Sequence, residues 1–91
     1  SLPYRYVGNG KFWIENINPD FVNCNGEKVV IEVFGDYWHN PNKNKNCSYS
    51  RTEEGRKEIL AKYGWKCLIL WESEIKRSTE EQIVQKIKDF N

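Results

Sequence analysis

Apolar positions in this chain gather into short runs separated by polar stretches rich in Asn, Gly and Lys. The densest run, Val29 to Phe34, is β-branched and predicts a buried strand. Residues 65–71, Trp-Lys-Cys-Leu-Ile-Leu-Trp, predict a second. Phe21, Val22 and Cys24 precede Asn25-Gly26, a hairpin signal that pairs them antiparallel with the Val29 run. Earlier, Tyr4 and Tyr6, then Phe12, Trp13 and Ile14, bracket Gly8-Asn9-Gly10 and predict two short strands around a turn. A helical period runs over residues 51–63, with Thr52 as cap, Glu53 and Glu54 at the positive end, Ile59, Leu60 and Tyr63 on one face, and Gly64 as the stop. Gly55 weakens that helix. Ser78-Thr79-Glu80-Glu81 reads as a capping box opening a last helix with Ile83, Val84, Ile87 and Phe90 on one side. Residues 40–50 show no period and predict a surface loop. The order points to an α+β (α/β layered) fold in which helices cover a central mixed sheet.

One polar residue breaks the pattern where it is most expensive. Glu32 sits inside the Val29 run, and a carboxylate in a core strand requires a cation, a hydrogen-bond partner or a metal. Gly35 then lets the chain turn, so the strand delivers Asp36, Tyr37, Trp38 and His39 to its mouth. The hairpin brings Asp20, at the start of the preceding strand, to the same end as Glu32.

Ninety-one residues make one small domain with a single core. The net charge of +1 leaves no global basic footprint, so attraction to nucleic acid has to come from a local patch. Three cysteines without CxxC spacing, Cys24, Cys47 and Cys67, speak against a disulfide framework and for a reducing, intracellular setting. No apolar stretch is long enough to span a membrane, and no secretory signal is visible. Methionine is absent even at position 1, which predicts a fragment of a longer protein.

Four sets of residues carry candidate chemistry. Asp20 with Glu32 can share a hard cation such as Mg²⁺, which prefers oxygen and keeps waters that a phosphate replaces; alternatively Asp20 belongs to a turn and Glu32 pairs with a basic residue. His39 has the side chain best suited to take a proton near neutrality, and Glu53 or Glu54 in the next helix can hold its tautomer. Otherwise His39 is a packed ring, and the two glutamates serve the helix dipole. Tyr37 and Trp38 are either core aromatics or groups that stack on bases. Lys43, Lys45 and Arg51, with Arg56 and Lys57, can line a phosphate track or simply be solvated. One histidine and no paired cysteines argue against structural zinc.

Pro19-Asp20-Phe21-Val22, then Ile31-Glu32-Val33-Phe34-Gly35-Asp36-Tyr37-Trp38-His39, then Arg51-Thr52-Glu53, then residues 64–72 form an ordered set. Together they resemble the very-short-patch-repair (Vsr) endonucleases of the PD-(D/E)xK nuclease superfamily, including the Vsr-like domains at the C-terminal end of some phage homing endonucleases. The resemblance runs from about Tyr4 to Ile75. It implies a restriction-endonuclease-like core and Mg²⁺ or another divalent cation held by Asp20, the Val33 carbonyl and Glu32. It further implies His39 as the group that activates water, Glu53 as its support, and Tyr37 and Trp38 inserting into the DNA stack. Phe34 stands where the superfamily has its lysine. Asp36 and Pro41 stand at two of the repair enzyme's zinc positions, so no zinc is implied. The family's glutamate on a helix before the first strand has no counterpart after Ser1.

The expectation is therefore a single domain over residues 1–91, a metal-dependent endonuclease domain acting on double-stranded DNA. It would be the C-terminal catalytic part of a homing endonuclease, with an N-terminal DNA-binding region elsewhere in the protein. Its setting would be the cytoplasm of a bacterial or phage-infected cell, at the nucleoid. The alternatives are a degenerate nuclease fold kept as a DNA-binding or protein-interaction module, a Vsr-type mismatch-repair or restriction nuclease, and a small structural domain whose acids are only surface charge.

Overall fold

The computed structural model describes residues 2–90. Two antiparallel pairings and one parallel pairing make a four-stranded mixed sheet in the order β1-β2-β3-β4. The strands are β1 (Tyr4–Tyr6), β2 (Phe21–Asn23), β3 (Val29–Phe34) and β4 (Lys66–Trp71). β3 is the hinge of the design, antiparallel to β2 and parallel to β4 over its whole length, from Val29↔Lys66 to Phe34↔Trp71. Parallel neighbours need a crossover. The chain supplies it through α1 (Asp36–His39), a 3₁₀ turn (Tyr49–Arg51) and α2 (Glu53–Lys62). After β4 come α3 (Glu72–Arg77) and α4 (Glu80–Phe90).

Alternation along β3 sorts the core into two halves. Val30 and Phe34 face α2 and pack with Leu60, Val22, Cys67 and Ile69. Ile31 faces the other way, with Leu68 and Leu70, against Ile87, Ile83 and Phe90 of α4. Helices therefore lie on both faces, in the α+β arrangement that the hydrophobic pattern predicts.

Several local details differ from the sequence reading. Phe12 to Ile14 is not a strand, and β1 pairs with β2 instead. The Asn18 side chain accounts for this: its amide nitrogen donates to the Val7 and Phe12 carbonyls, both at 2.7 Å, and its oxygen accepts from Gly10 N–H. Those groups are thereby taken out of a ladder, and only an isolated Ile14↔Ile17 bridge remains. Gly35 has φ −72°, so the turn after β3 owes nothing to glycine's special freedom; α1 itself makes it. The capping box of α4 lies one residue later than expected. Thr79 Oγ1 accepts from Gln82 N–H while Gln82 Oε1 accepts from Thr79 N–H. The short α3 is not visible in the periodicity. Its first turn is fixed by Asp36, whose two oxygens accept from Ser73 N–H and Ser73 Oγ. Among the described residues, no helix is long and apolar enough to cross a membrane.

Candidate functional site

The site lies at the C-terminal end of β3, where β2 has stopped. The last ladder pair is Phe21↔Ile31, and one step beyond it Asp20 Oδ2 accepts Val33 N–H at 2.7 Å. In an extended strand a residue's N–H and C=O point to the same edge. The Val33 carbonyl therefore faces the side occupied by Asp20, and Asp20 Oδ1 makes no hydrogen bond among the described residues. Two oxygens at an open edge suit a cation that takes most of its shell from water and phosphate, which is how Mg²⁺ is usually held. No group of three or more His, Cys, Asp and Glu side chains is disposed to hold a metal ion among the described residues.

Glu32, expected to join Asp20, points into the layer between β3 and α2. Both of its oxygens accept from Arg56 Nη1, at 3.0 and 3.1 Å, and Cys67 Sγ lies 4.0 Å from one of them. The sequence alternative, an acid paired with a basic residue, is the arrangement found. Burial pushes the Glu32 pKa up to about 7, the guanidinium pulling the other way and the nearby Asp20 charge adding to the rise. The Cys67 thiol is pushed up to about 12, by burial first and then by the Glu32 charge. It stays protonated and takes no part in thiolate chemistry.

His39 is held from two sides. Its ring stacks on Phe34, centroids 3.8 Å apart and planes 15° from parallel. Its Nδ1 lies 2.7 Å from the Arg51 carbonyl oxygen. A carbonyl only accepts, so Nδ1 carries the hydrogen, and in the neutral ring Nε2 is left as the proton acceptor. Burial lowers the His39 pKa; the Arg51 carbonyl opposes this, the Arg56 and Arg51 charges lower it further, and the Asp20 charge raises it. The neutral imidazole that general-base chemistry needs is thus favoured near neutral pH.

Glu53 is not the group that orients this ring. It lines the same cavity of about 350 Å³ as His39, but its Oε1 accepts from Trp71 Nε1 at 2.7 Å and its Oε2 pairs with Lys57 at 2.9 Å. Burial alone would raise its pKa, yet Lys57 and the Trp71 N–H together hold it below the usual range. The tautomer-fixing role that the sequence placed on a carboxylate belongs to the carbonyl two residues earlier. A backbone acceptor leaves no trace in residue identity.

Arg51, Lys43 and Lys45 are exposed, and none of the three forms an ion pair among the described residues. Arg56 and Lys57, read as part of the same basic run, are committed to Glu32 and Glu53. Tyr37 and Trp38 are 53% and 58% exposed and pack edge-on against each other at 5.0 Å. They are not core.

Gly55 has a purpose that helix propensity hides. A Cβ built there would lie 1.8 Å from the Tyr49 carbonyl oxygen, so only glycine lets the 3₁₀ turn lie on α2. Thr52 closes the junction, its Oγ1 donating to the Tyr49 carbonyl and accepting from Gly55 N–H. Gly55→Ala is expected to cost about 1–3 kcal/mol, as overpacking does. Urea melts of the two proteins check this.

No family model, curated protein or solved structure matches the chain.

Proposed function

We propose that this domain hydrolyses phosphodiester bonds in double-stranded DNA with the help of Mg²⁺ or a similar divalent cation. One observation carries the reading: His39 is locked with Nδ1 protonated and Nε2 available, at the strand end where Asp20 and the Val33 carbonyl offer oxygens. Asp20 and Val33 would hold the ion. When bound, the ion supplies positive charge that polarises the scissile phosphate and stabilises the leaving oxygen. His39 Nε2 takes the proton from the attacking water, and Phe34 and the Arg51 carbonyl keep the ring at one angle while it does so. Arg51, Lys43 and Lys45 contact the DNA backbone, and the exposed Tyr37–Trp38 pair grips or wedges the duplex. The proposal keeps the Vsr-like relationship and a catalytic place in a homing endonuclease as its biological frame.

Supercoiled plasmid with Mg²⁺ tests it. Wild type should nick or cut, and Asp20→Ala should be slower by a hundredfold or more, on the order expected when a metal ligand is lost. Equal cleavage by both proteins removes Asp20 from the mechanism. The pairing of Glu32 with Arg56, which leaves one carboxylate at the edge, favours a second reading, a DNA-binding module without catalysis. Retained duplex binding with no cleavage under any divalent cation supports that one.

The aromatic pair has its own test. Tyr37→Ala with Trp38→Ala is expected to weaken duplex binding by about 1–3 kcal/mol per lost stacking contact while leaving thermal stability close to wild type. A lowered melting temperature with unchanged binding would return both residues to a packing role.

A further inference from the structure

We propose that Glu32 and Arg56 are positioning residues for His39, acting through the backbone of the 3₁₀ turn. The contacts form an unbroken series. Glu32, buried in β3, holds Arg56 Nη1 with both oxygens. The same guanidinium donates from Nε to the Ser50 carbonyl at 3.1 Å. The next carbonyl along, that of Arg51, accepts His39 Nδ1–H. Arg56 also sits 5.8 Å from the centre of the Phe34 ring on which His39 stacks.

Each link suits the residue that makes it. Within the turn the Ser48 and Tyr49 carbonyls accept from the Arg51 and Thr52 N–H groups, whereas the Ser50 carbonyl accepts from Arg56. Arg56 anchors it because a planar guanidinium can bond a carboxylate at one edge and a carbonyl at another, which a lysine ammonium on a flexible stem cannot do in the same geometry. Glu32 in turn holds Nη1 of that guanidinium with both oxygens. A carboxylate that costs stability in a core strand thus decides which nitrogen of a surface histidine is free.

The catalytic meaning of this series rests on His39 being the base, but the linkage can be read without DNA, metal or turnover. His39 is the only histidine in the chain, so its imidazole ¹⁵N resonances are unambiguous. Wild type should show the Nδ1–H tautomer. Arg56→Lys keeps a cation beside Glu32 but drops the Ser50 bond, and the ratio of Nδ1–H to Nε2–H should fall by a few-fold to roughly tenfold, the scale of one net hydrogen bond. Glu32→Met with Arg56→Met, which leaves no buried charge unpaired, should shift the ratio in the same direction and serves if the lysine variant does not fold. A folded variant of either kind with the wild-type ratio overturns the proposal, and so does a wild-type spectrum dominated by Nε2–H. Absence of plasmid cleavage alongside the predicted tautomer shifts would sink the nuclease reading and leave the linkage standing.

Discussion

Arg56→Ala is expected to lose about 3–5 kcal/mol of stability above neutral pH, the cost of stripping one partner from a buried ion pair. Most of that loss should vanish near pH 5. The sign follows from Glu32, whose folded pKa is raised from 4.5 to about 7, by burial first. A carboxyl with a raised folded pKa prefers its proton in the native state. Its favourable contribution is fully present below the unfolded value of 4.5 and is lost as pH rises through the folded value near 7. At about 1.4 kcal/mol per pH unit, that interval is worth about 3 kcal/mol in the wild type. Removing Arg56 takes away the group that opposes the rise, so the interval extends upward and the variant weakens further at pH 8. At pH 5 the variant's Glu32 is neutral, leaving chiefly the lost packing and the lost Ser50 bond. Chemical denaturation of both proteins from pH 5 to pH 8 checks this, with Glu32→Gln as the control that should flatten the wild-type decline. A loss of the same size at every pH would mean that Glu32 is not the group left stranded.

The second large effect concerns His39. Removing a positioned general base typically slows chemistry by about 10²–10⁴, and His39→Ala is expected to fall in that range with DNA affinity nearly unchanged. The ring contributes a stack on Phe34 and one hydrogen bond, so the fold should survive its loss. His39→Ala that cuts at the wild-type single-turnover rate assigns the imidazole to packing alone.

How far the sequence reached depends on which group carries each feature. Side-chain patterns were readable: the β-branched run of β3, the Asn25-Gly26 hairpin, Thr52 as a cap and Gly64 as a stop all lie where residue types place them. That Asp20 lies at the Glu32 end of β3 was also within reach, because the hairpin carries it there, whereas its bond to Val33 N–H appears only in the folded chain. The support of His39 was not, since it comes from a backbone carbonyl whose direction is set by Arg56 from another turn of chain. Gly55 misled for a related reason. Its helix propensity is local, whereas its need is a 1.8 Å clash with the Tyr49 carbonyl that appears only when the turn is folded onto α2. Phe12 to Ile14 carried the composition of a strand, and the Asn18 amide overrode it. Arg56, offered as one side of a phosphate track or as solvated surface, lies instead against buried Glu32, a pairing across 24 residues that residue identity does not reveal.

We propose that His39, favoured in its neutral form near physiological pH, removes a proton from water at a strand end that would hold a metal ion. The lone histidine makes a direct comparison practicable: the pKa of His39 from NMR titration, and the single-turnover cleavage rate of a duplex with Mg²⁺ over the same pH range, on the same protein. The expected result is a pKa below 6.5 and a rate that rises with pH through that value and then levels off. A rate that ignores the measured pKa while chemistry is limiting, or no cleavage across the range, would contradict it.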